Sequence, residues 1–281
     1  MVEMTKHYQV VGNPIAQSKS PFIHAEFAKQ TQQVISYQRA CPEVDGFAIE
    51  AQRFFGSGGL GMNVTAPFKL DAYNFADSLT PRATLAGAVN TLALQDDGSI
   101  LGDNTDGYGL VTDITQQLGW TLKGKNILVL GAGGAVRGVL QLLLEQRPAQ
   151  LVLANRTLAK AEALASVFTH LGPLEVVEFA ALPAFPAGHF DLIINATSAS
   201  LAGDLPPLPE ALIAPETHCY DMTYGAQPTV FLRWAESLGA GVRADGLGML
   251  VGQAAESFRL WHGVMPEVKP VMAALRQHLK A

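Results

Sequence analysis

The chain has 281 residues, of which 48% are hydrophobic and 16% charged, and its formal net charge is −6. This is more chain than the roughly 100–200 residues of one domain, so two domains with separate cores are expected. No run of Lys or Arg breaks the acidic balance, which excludes the electrostatic footprint of a nucleic-acid or anionic-membrane partner; an anionic small molecule would have to be met by local groups.

The opening MVEMTKHYQVVGNP carries only a few apolar residues before Gly12 and Pro14. That is too short for a signal-peptide core or for the ~20 apolar residues of a spanning helix, so it reads as the first strand of a soluble protein. Further strands are expected at 34–40 and 59–65, with SPFIHAEFAKQ and PFKLDAYNFAD as half-buried helices, since their apolar residues recur every three or four positions. AVNTLALQDDGSILGDNTD reads as a hairpin turning at Asp97-Gly98.

From Asp106 a helical stretch leads into TLKGKNILVLGAGG, where a second unit of nucleotide-binding style begins. Strands are expected at 126–131, 150–155, 190–196 and 218–222, with helices between Ala135 and Arg147 and over TLAKAEALASVFTHLG. After GVRADG only helices follow, GLGMLVGQAAESFRLW and PEVKPVMAALRQHLK, and these could close back over the first unit. The alternation predicts an α/β protein with mainly parallel sheets. Its domains would be a discontinuous substrate-binding domain, 1–106 plus 247–281, and a Rossmann-like domain, 107–246.

Cys41 and Cys219 lie far apart without CxxC spacing, which suits a reducing cytoplasm. The seven histidines show no HxxxH spacing, so no metal is expected.

NILVLGAGGAVRG is an apolar strand running into a glycine turn and then a helix. Gly131, Gly133 and Gly134 would allow the tight turn and leave backbone N–H groups facing a pyrophosphate. The GxGxxG fingerprint is incomplete, because Val136 stands at its third glycine; a plain turn is the alternative reading. NAD enzymes place an acid roughly 20 residues further on for the ribose hydroxyls. Here LVLANRT supplies Asn155, Arg156 and Thr157. A guanidinium with a hydroxyl suits a 2′-phosphate, which favours NADP unless Arg156 is only a solvated charge.

In the first unit Ser18, Ser20, Asn63, Thr65, Lys69, Asn90 and Asp106 all fall at expected strand ends or in the loops after them. Ligands of open α/β sheets bind beyond the carboxyl ends of the strands, and so many donors and acceptors suit a polyhydroxylated substrate. Taken singly, Lys69 could be a solvated lysine at a helix start, and Asp106, Ser18 and Ser20 helix caps.

GNPIAQSKSP, NVTAPFK, GAVNT, GDNTDG, GAGGA, NRT, NATS, YDMTY and DGLGMLVGQAAESF occur in this order, from about residue 8 to 262, and together they resemble the shikimate dehydrogenase family. The resemblance implies NADP-dependent interconversion of 3-dehydroshikimate and shikimate, a step towards aromatic amino acids. It implies Lys69 as the catalytic lysine and Asp106 as its partner. It places Ser18 and Ser20 on the substrate carboxylate, Thr65, Asn90, Asp106 and Gln253 on its hydroxyls, Asn63 in support of that network, and Tyr224 at the substrate's border. For NADP it implies Gly131, Ala132, Gly133, Gly134, Ala135, Asn155, Arg156, Thr157 and Lys160, with Met222 and Gly246 near the nicotinamide. Gln17, Pro81 and Ser200 depart from the commonest family pattern.

A quinate or quinate/shikimate dehydrogenase is the nearest alternative, and a catalytically silent NADP-binding module the more distant one. No membrane or nucleic-acid partner is expected. A homodimer is allowed by the sequence and not specified by it.

Overall fold

The computed structural model describes residues 4–280; the side chains of Ser200 and Leu201 lie outside what is described. The chain divides into two compact units, Met1–Gly109 with Val251–His278, and Leu110–Leu250 with Leu279–Ala281. The sequence placed the two passages after residues 106 and 246; the units divide after Gly109 and after Leu250.

The first unit runs β1 (Lys6–Val11), α1 (Ser20–Thr31), β2 (Ile35–Ala40), α2 (Phe47–Gly56), β3 (Gly59–Val64), α3 (Lys69–Phe75), β4 (Ser78–Leu79), α4 (Pro81–Ala86), β5 (Thr91–Leu94) and β6 (Ile100–Asp103), and its first segment ends within α5 (Asp106–Thr112). Its sheet has the order β2-β1-β3-β5-β6-β4, parallel except where β5 pairs with β3 and β6. The expected hairpin forms, with Gly98 at φ 86° in its turn. Alternation along β3 decides what each face receives. Met62 and Val64 join Val11, Phe47, Phe54, Phe68, Ala72 and Ile100 in one core, while Asn63 faces the other way.

The second unit runs β7 (Asn126–Leu130), α6 (Gly134–Arg137), α7 (Leu140–Glu145), β8 (Gln150–Asn155), α8 (Leu158–Ala165), β9 (Leu174–Glu178), β10 (Leu192–Asn195), α9 (Ala199–Ala202), β11 (His218–Asp221), α10 (Val230–Ser237) and β12 (Val242–Asp245). All six strands are parallel, in the order β12-β11-β10-β7-β8-β9, the doubly wound arrangement of dinucleotide-binding folds. Central strands buried on both faces read as unbroken apolar runs, and Leu128, Leu130, Val152, Ile193 and Cys219 pack with Phe190 and Phe231.

Two helices follow, α11 (Leu247–His262) and α12 (Val268–Lys280). Strands β4, β9 and β12 and helices α2, α4, α9 and α10 were not foreseen. All three strands are sheet edges with partly exposed residues, so none shows a buried apolar run. Among the described residues no helix is long and apolar enough to cross a membrane.

Candidate active site

In the first unit, the turns after the strands deliver the polar groups. Thr65 follows β3: its N–H donates to Val11 O at 2.9 Å and its carbonyl accepts from Phe68 N at 3.0 Å, a turn that starts α3 with Lys69. Asp106 opens α5, and its N–H donates to Asn104 Oδ1 at 3.2 Å. These two helix starts bring the Lys69 ammonium against Asp106 Oδ2 in a partly buried ion pair.

Asn90, 3% exposed just ahead of β5, holds the second carboxylate oxygen: its Nδ2 donates to Asp106 Oδ1 at 2.8 Å. The orientation of this amide is fixed by a backbone group, because Thr105 N–H donates to Asn90 Oδ1 at 2.9 Å and an N–H has no other role. Nδ2 also lies 2.9 Å from Thr105 Oγ1 and 3.3 Å from Oε1 of Gln253 on α11. Lys69, Asp106, Asn90 and Gln253 are thus joined through one set of hydrogen bonds.

Ser18 and Ser20 form a pair of their own at the start of α1. The Ser18 hydroxyl donates to Ser20 Oγ at 3.2 Å, and Arg39 donates to the Ser18 carbonyl at 2.6 Å through Nη2. Gln17, one of the departures noted above, is exposed and donates to Pro14 O at 3.2 Å. Pro81 is exposed at the first position of α4, beside the Thr80 cap that accepts from Ala83 N.

The same unit holds a charged cluster that sequence reading did not single out. Arg82 pairs with Asp103 and, at 2.8 Å, with Glu256; Arg259 Nε meets Glu256 Oε2 at 2.7 Å. Burial pushes the Asp103 and Glu256 carboxyls up. For Asp103, Arg82 and the Thr80 hydroxyl outweigh burial, and for Glu256, Arg259 and Arg82 do so, leaving both below the usual carboxylate range. Thr91, Thr105 and Ser257, also missed, lie inside quoted motifs (AVNT, DNTD, QAAES), and only their neighbours in space distinguish them from filler.

In the second unit, the carboxyl ends of the parallel strands carry the proposed cofactor residues side by side. Gly131 follows β7 at φ 105°, its N–H donating to Ala154 O on β8 at 2.7 Å, and a Cβ there would press on Ala196. A Cβ at Gly133 or Gly134 would meet no protein atom within 4 Å, so the fold itself does not need these two glycines. Ala135, next along α6, is exposed. At the end of β8, Asn155 Nδ2 donates to Thr157 O at 2.9 Å, holding a turn that leaves Arg156, Thr157 and Lys160 exposed.

Met222 follows β11 with its N–H on Asn195 O at 2.9 Å. Gly246 follows β12 so near that a Cβ would stand 2.1 Å from Met222 O. The fully buried Asp221, another residue missed in the sequence, braces these ends, accepting from Asn195 Nδ2, Thr229 Oγ1 and Thr223 N at 3.2, 2.6 and 3.0 Å. Tyr224, half-buried in the following loop, belongs to this unit, whereas Ser18, Ser20, Asn63, Thr65, Lys69, Asn90, Asp106 and Gln253 belong to the first. Among the described residues no three His, Cys, Asp or Glu side chains are placed to hold a metal.

A doubly wound domain with a glycine turn and an exposed basic strand end, in a chain that also carries a lysine–carboxylate pair, defines a two-domain nucleotide-dependent oxidoreductase. Three family profiles match, described as the shikimate dehydrogenase substrate binding domain (residues 10–92), shikimate/quinate 5-dehydrogenase (113–202) and the shikimate 5'-dehydrogenase C-terminal domain (246–276). The NADP(+)-dependent shikimate dehydrogenase of Saccharophagus degradans is 57% identical over 96% of this chain and 98% of its own. An Ael1 enzyme from Pseudomonas putida superposes with a TM-score of 0.90 at 45% identity, covering 96% of this chain and 98% of that one. Shikimate 5-dehydrogenase from Thermus thermophilus, solved with NADP(H) and shikimate, superposes at 0.84 with 33% identity, covering 98% and 100%. The chain belongs to the shikimate dehydrogenase family.

Proposed function

We propose that the protein interconverts 3-dehydroshikimate and shikimate with NADP(H). The observation that carries this reading is the Lys69–Asp106 ion pair, bound from behind by Asn90, in a chain of this family. The residues of the second unit fit the dinucleotide. Two glycines leave open space where a pyrophosphate would approach, and an exposed guanidinium and hydroxyl stand where a 2′-phosphate would. When bound, NADP(H) supplies or accepts the hydride.

The chain's own groups handle the proton. In reduction the Lys69 ammonium donates to the carbonyl oxygen as hydride reaches its carbon, and in oxidation the lysine, as free amine, takes the proton from the same hydroxyl. Asp106 holds the ammonium and orients the hydroxyl, with Asn90 and Gln253 beside it. Ser18 and Ser20 take the carboxylate, Thr65 a ring hydroxyl, Tyr224 borders the substrate, and Lys160, Ala132, Ala135, Met222 and Gly246 complete the cofactor's surroundings. A consumer of reduced dinucleotide in biosynthesis belongs in the cytoplasm, which cell fractionation would check.

The test is NADPH formation from shikimate, run beside quinate and beside NAD⁺. Turnover confined to shikimate with NADP⁺ is expected; a preference for quinate or NAD⁺ would reassign the protein, and no turnover with any pair would reject the reading. Lys69→Ala should lower kcat by about 10²-fold or more with a smaller change in KM, the usual worth of a general acid–base.

A further inference from the structure

We propose that Asn63 is a positioning residue, which fixes the serine pair relative to the Lys69–Asp106 pair through Tyr37 on one side and Thr91 on the other; the proposal rests on the function inferred above. Asn63 is 6% exposed, and protein groups take up its whole bonding capacity. Its Oδ1 accepts from Tyr37 OH at 2.6 Å and from His24 Nε2 at 3.1 Å. Its Nδ2 donates to Thr91 Oγ1 at 3.2 Å and to Ser257 Oγ at 3.0 Å. With both lone pairs and both N–H groups engaged, the amide acts on a substrate through its neighbours.

Each branch leads to a different end of the site. Arg39, two residues further along β2 than Tyr37, donates to the Ser18 carbonyl at 2.6 Å, and Ser20, the partner of Ser18, opposes the burial that pushes the Tyr37 hydroxyl up. On the other branch Thr91 Oγ1 donates to Asn90 Oδ1 at 2.9 Å, Asn90 Nδ2 donates to Asp106, and Asp106 meets Lys69. The antiparallel ladder sets Asn63 directly opposite Thr91, so the link between the branches is as rigid as the sheet.

His24 serves as a constant donor. Burial, reinforced by His262 and opposed by the bond to Asn63, pushes its imidazole down to about 3. Near neutral pH the ring is uncharged, and the bond to Oδ1 requires its one proton on Nε2. His24 Nδ1 has no partner among the described residues, which agrees with that tautomer.

A substrate held by its carboxylate at one end and attacked at a ring carbon at the other requires the two anchor groups at a fixed separation. The branches should therefore move different constants. Tyr37→Phe removes one hydroxyl on the serine branch and should raise KM for shikimate about 5- to 20-fold with kcat within about 2-fold. Thr91→Val removes one hydroxyl on the lysine branch and should lower kcat about 10-fold and displace the pH profile of kcat, whereas Thr91→Ser should return kcat to within about 3-fold of wild type. KM for NADP⁺ should be unchanged in all three.

Wild-type kcat, KM and pH profile in folded Tyr37→Phe and Thr91→Val would overturn the proposal. So would equal impairment in Thr91→Ser and Thr91→Val, which marks a packing role. If Thr91→Val does not fold, an unchanged KM in Tyr37→Phe overturns it alone. Absence of shikimate turnover by the wild-type protein is a separate result, and rejects the functional reading on which the proposal rests.

Discussion

Asn90 and Asp106, 16 residues apart, are bound through Nδ2 and Oδ1 at 2.8 Å, so one oxygen of the carboxylate is occupied while the other meets Lys69. Asp106 is thereby held on both sides, and its position owes as much to Asn90 as to the start of α5. Asn90→Ala should lower kcat/KM for shikimate by about 10- to 100-fold, since it removes a hydrogen bond to a charged group. Steady-state kinetics would check this, with thermal unfolding as the control for fold.

Arg156 is exposed just after β8, and the proposed function gives it the 2′-phosphate of the cofactor. Arg156→Ala should raise KM for NADP⁺ about 10- to 100-fold and narrow the preference for NADP⁺ over NAD⁺, because only the phosphate loses its charge-assisted bonds. Equal losses with both dinucleotides would place Arg156 outside phosphate recognition.

Arg82 is a cation shared by Asp103 and Glu256, whose side chains are 1% and 3% exposed. Replacing it with Met strands buried negative charge and should cost about 3–5 kcal/mol in urea unfolding. Both carboxyls titrate lower in the folded protein than in the unfolded chain, so the unfolded state binds more protons and stability falls with acid. In the wild type this loss should set in as pH drops through the ordinary values of 4.5 and 3.8. Removing Arg82 should flatten it.

Asp113 shows the opposite sign. Burial pushes its carboxyl up to about 6, with Asp245 adding to the shift, although Tyr220 OH donates to its Oδ2 at 2.7 Å. The folded state therefore binds the proton more tightly than the unfolded chain, and stability declines as pH rises from about 4 towards 6 and levels off above it. Asp113→Asn abolishes that decline and should gain stability over wild type on going from pH 4 to pH 8, by up to about 3 kcal/mol. Thermal melts across this range would show the two curves diverging; parallel curves would refute it.

Much of the fold was legible because it is written in local periodicity. Unbroken apolar runs such as NILVL and QLVLAN mark strands buried on both faces, and Asp97-Gly98 marks a hairpin, since these are properties of a few consecutive residues. Edge strands such as Leu174–Glu178 were not legible, because a partly exposed strand has no such run and is defined by its neighbour β8.

The sequence by itself determined the α/β class, the two-domain pattern and the residue types available for a proton transfer and a phosphate contact, and the family comparisons agree with that class. The tertiary structure alone decided who holds whom. Arg82 with Glu256 is 174 residues apart, Asn63 with Ser257 194, and Asn63 with Tyr37 26, and no local period encodes such separations. Hydrogen bonds act over a few ångströms in space, so a polar side chain's role is set by whichever strand or helix the fold places opposite it.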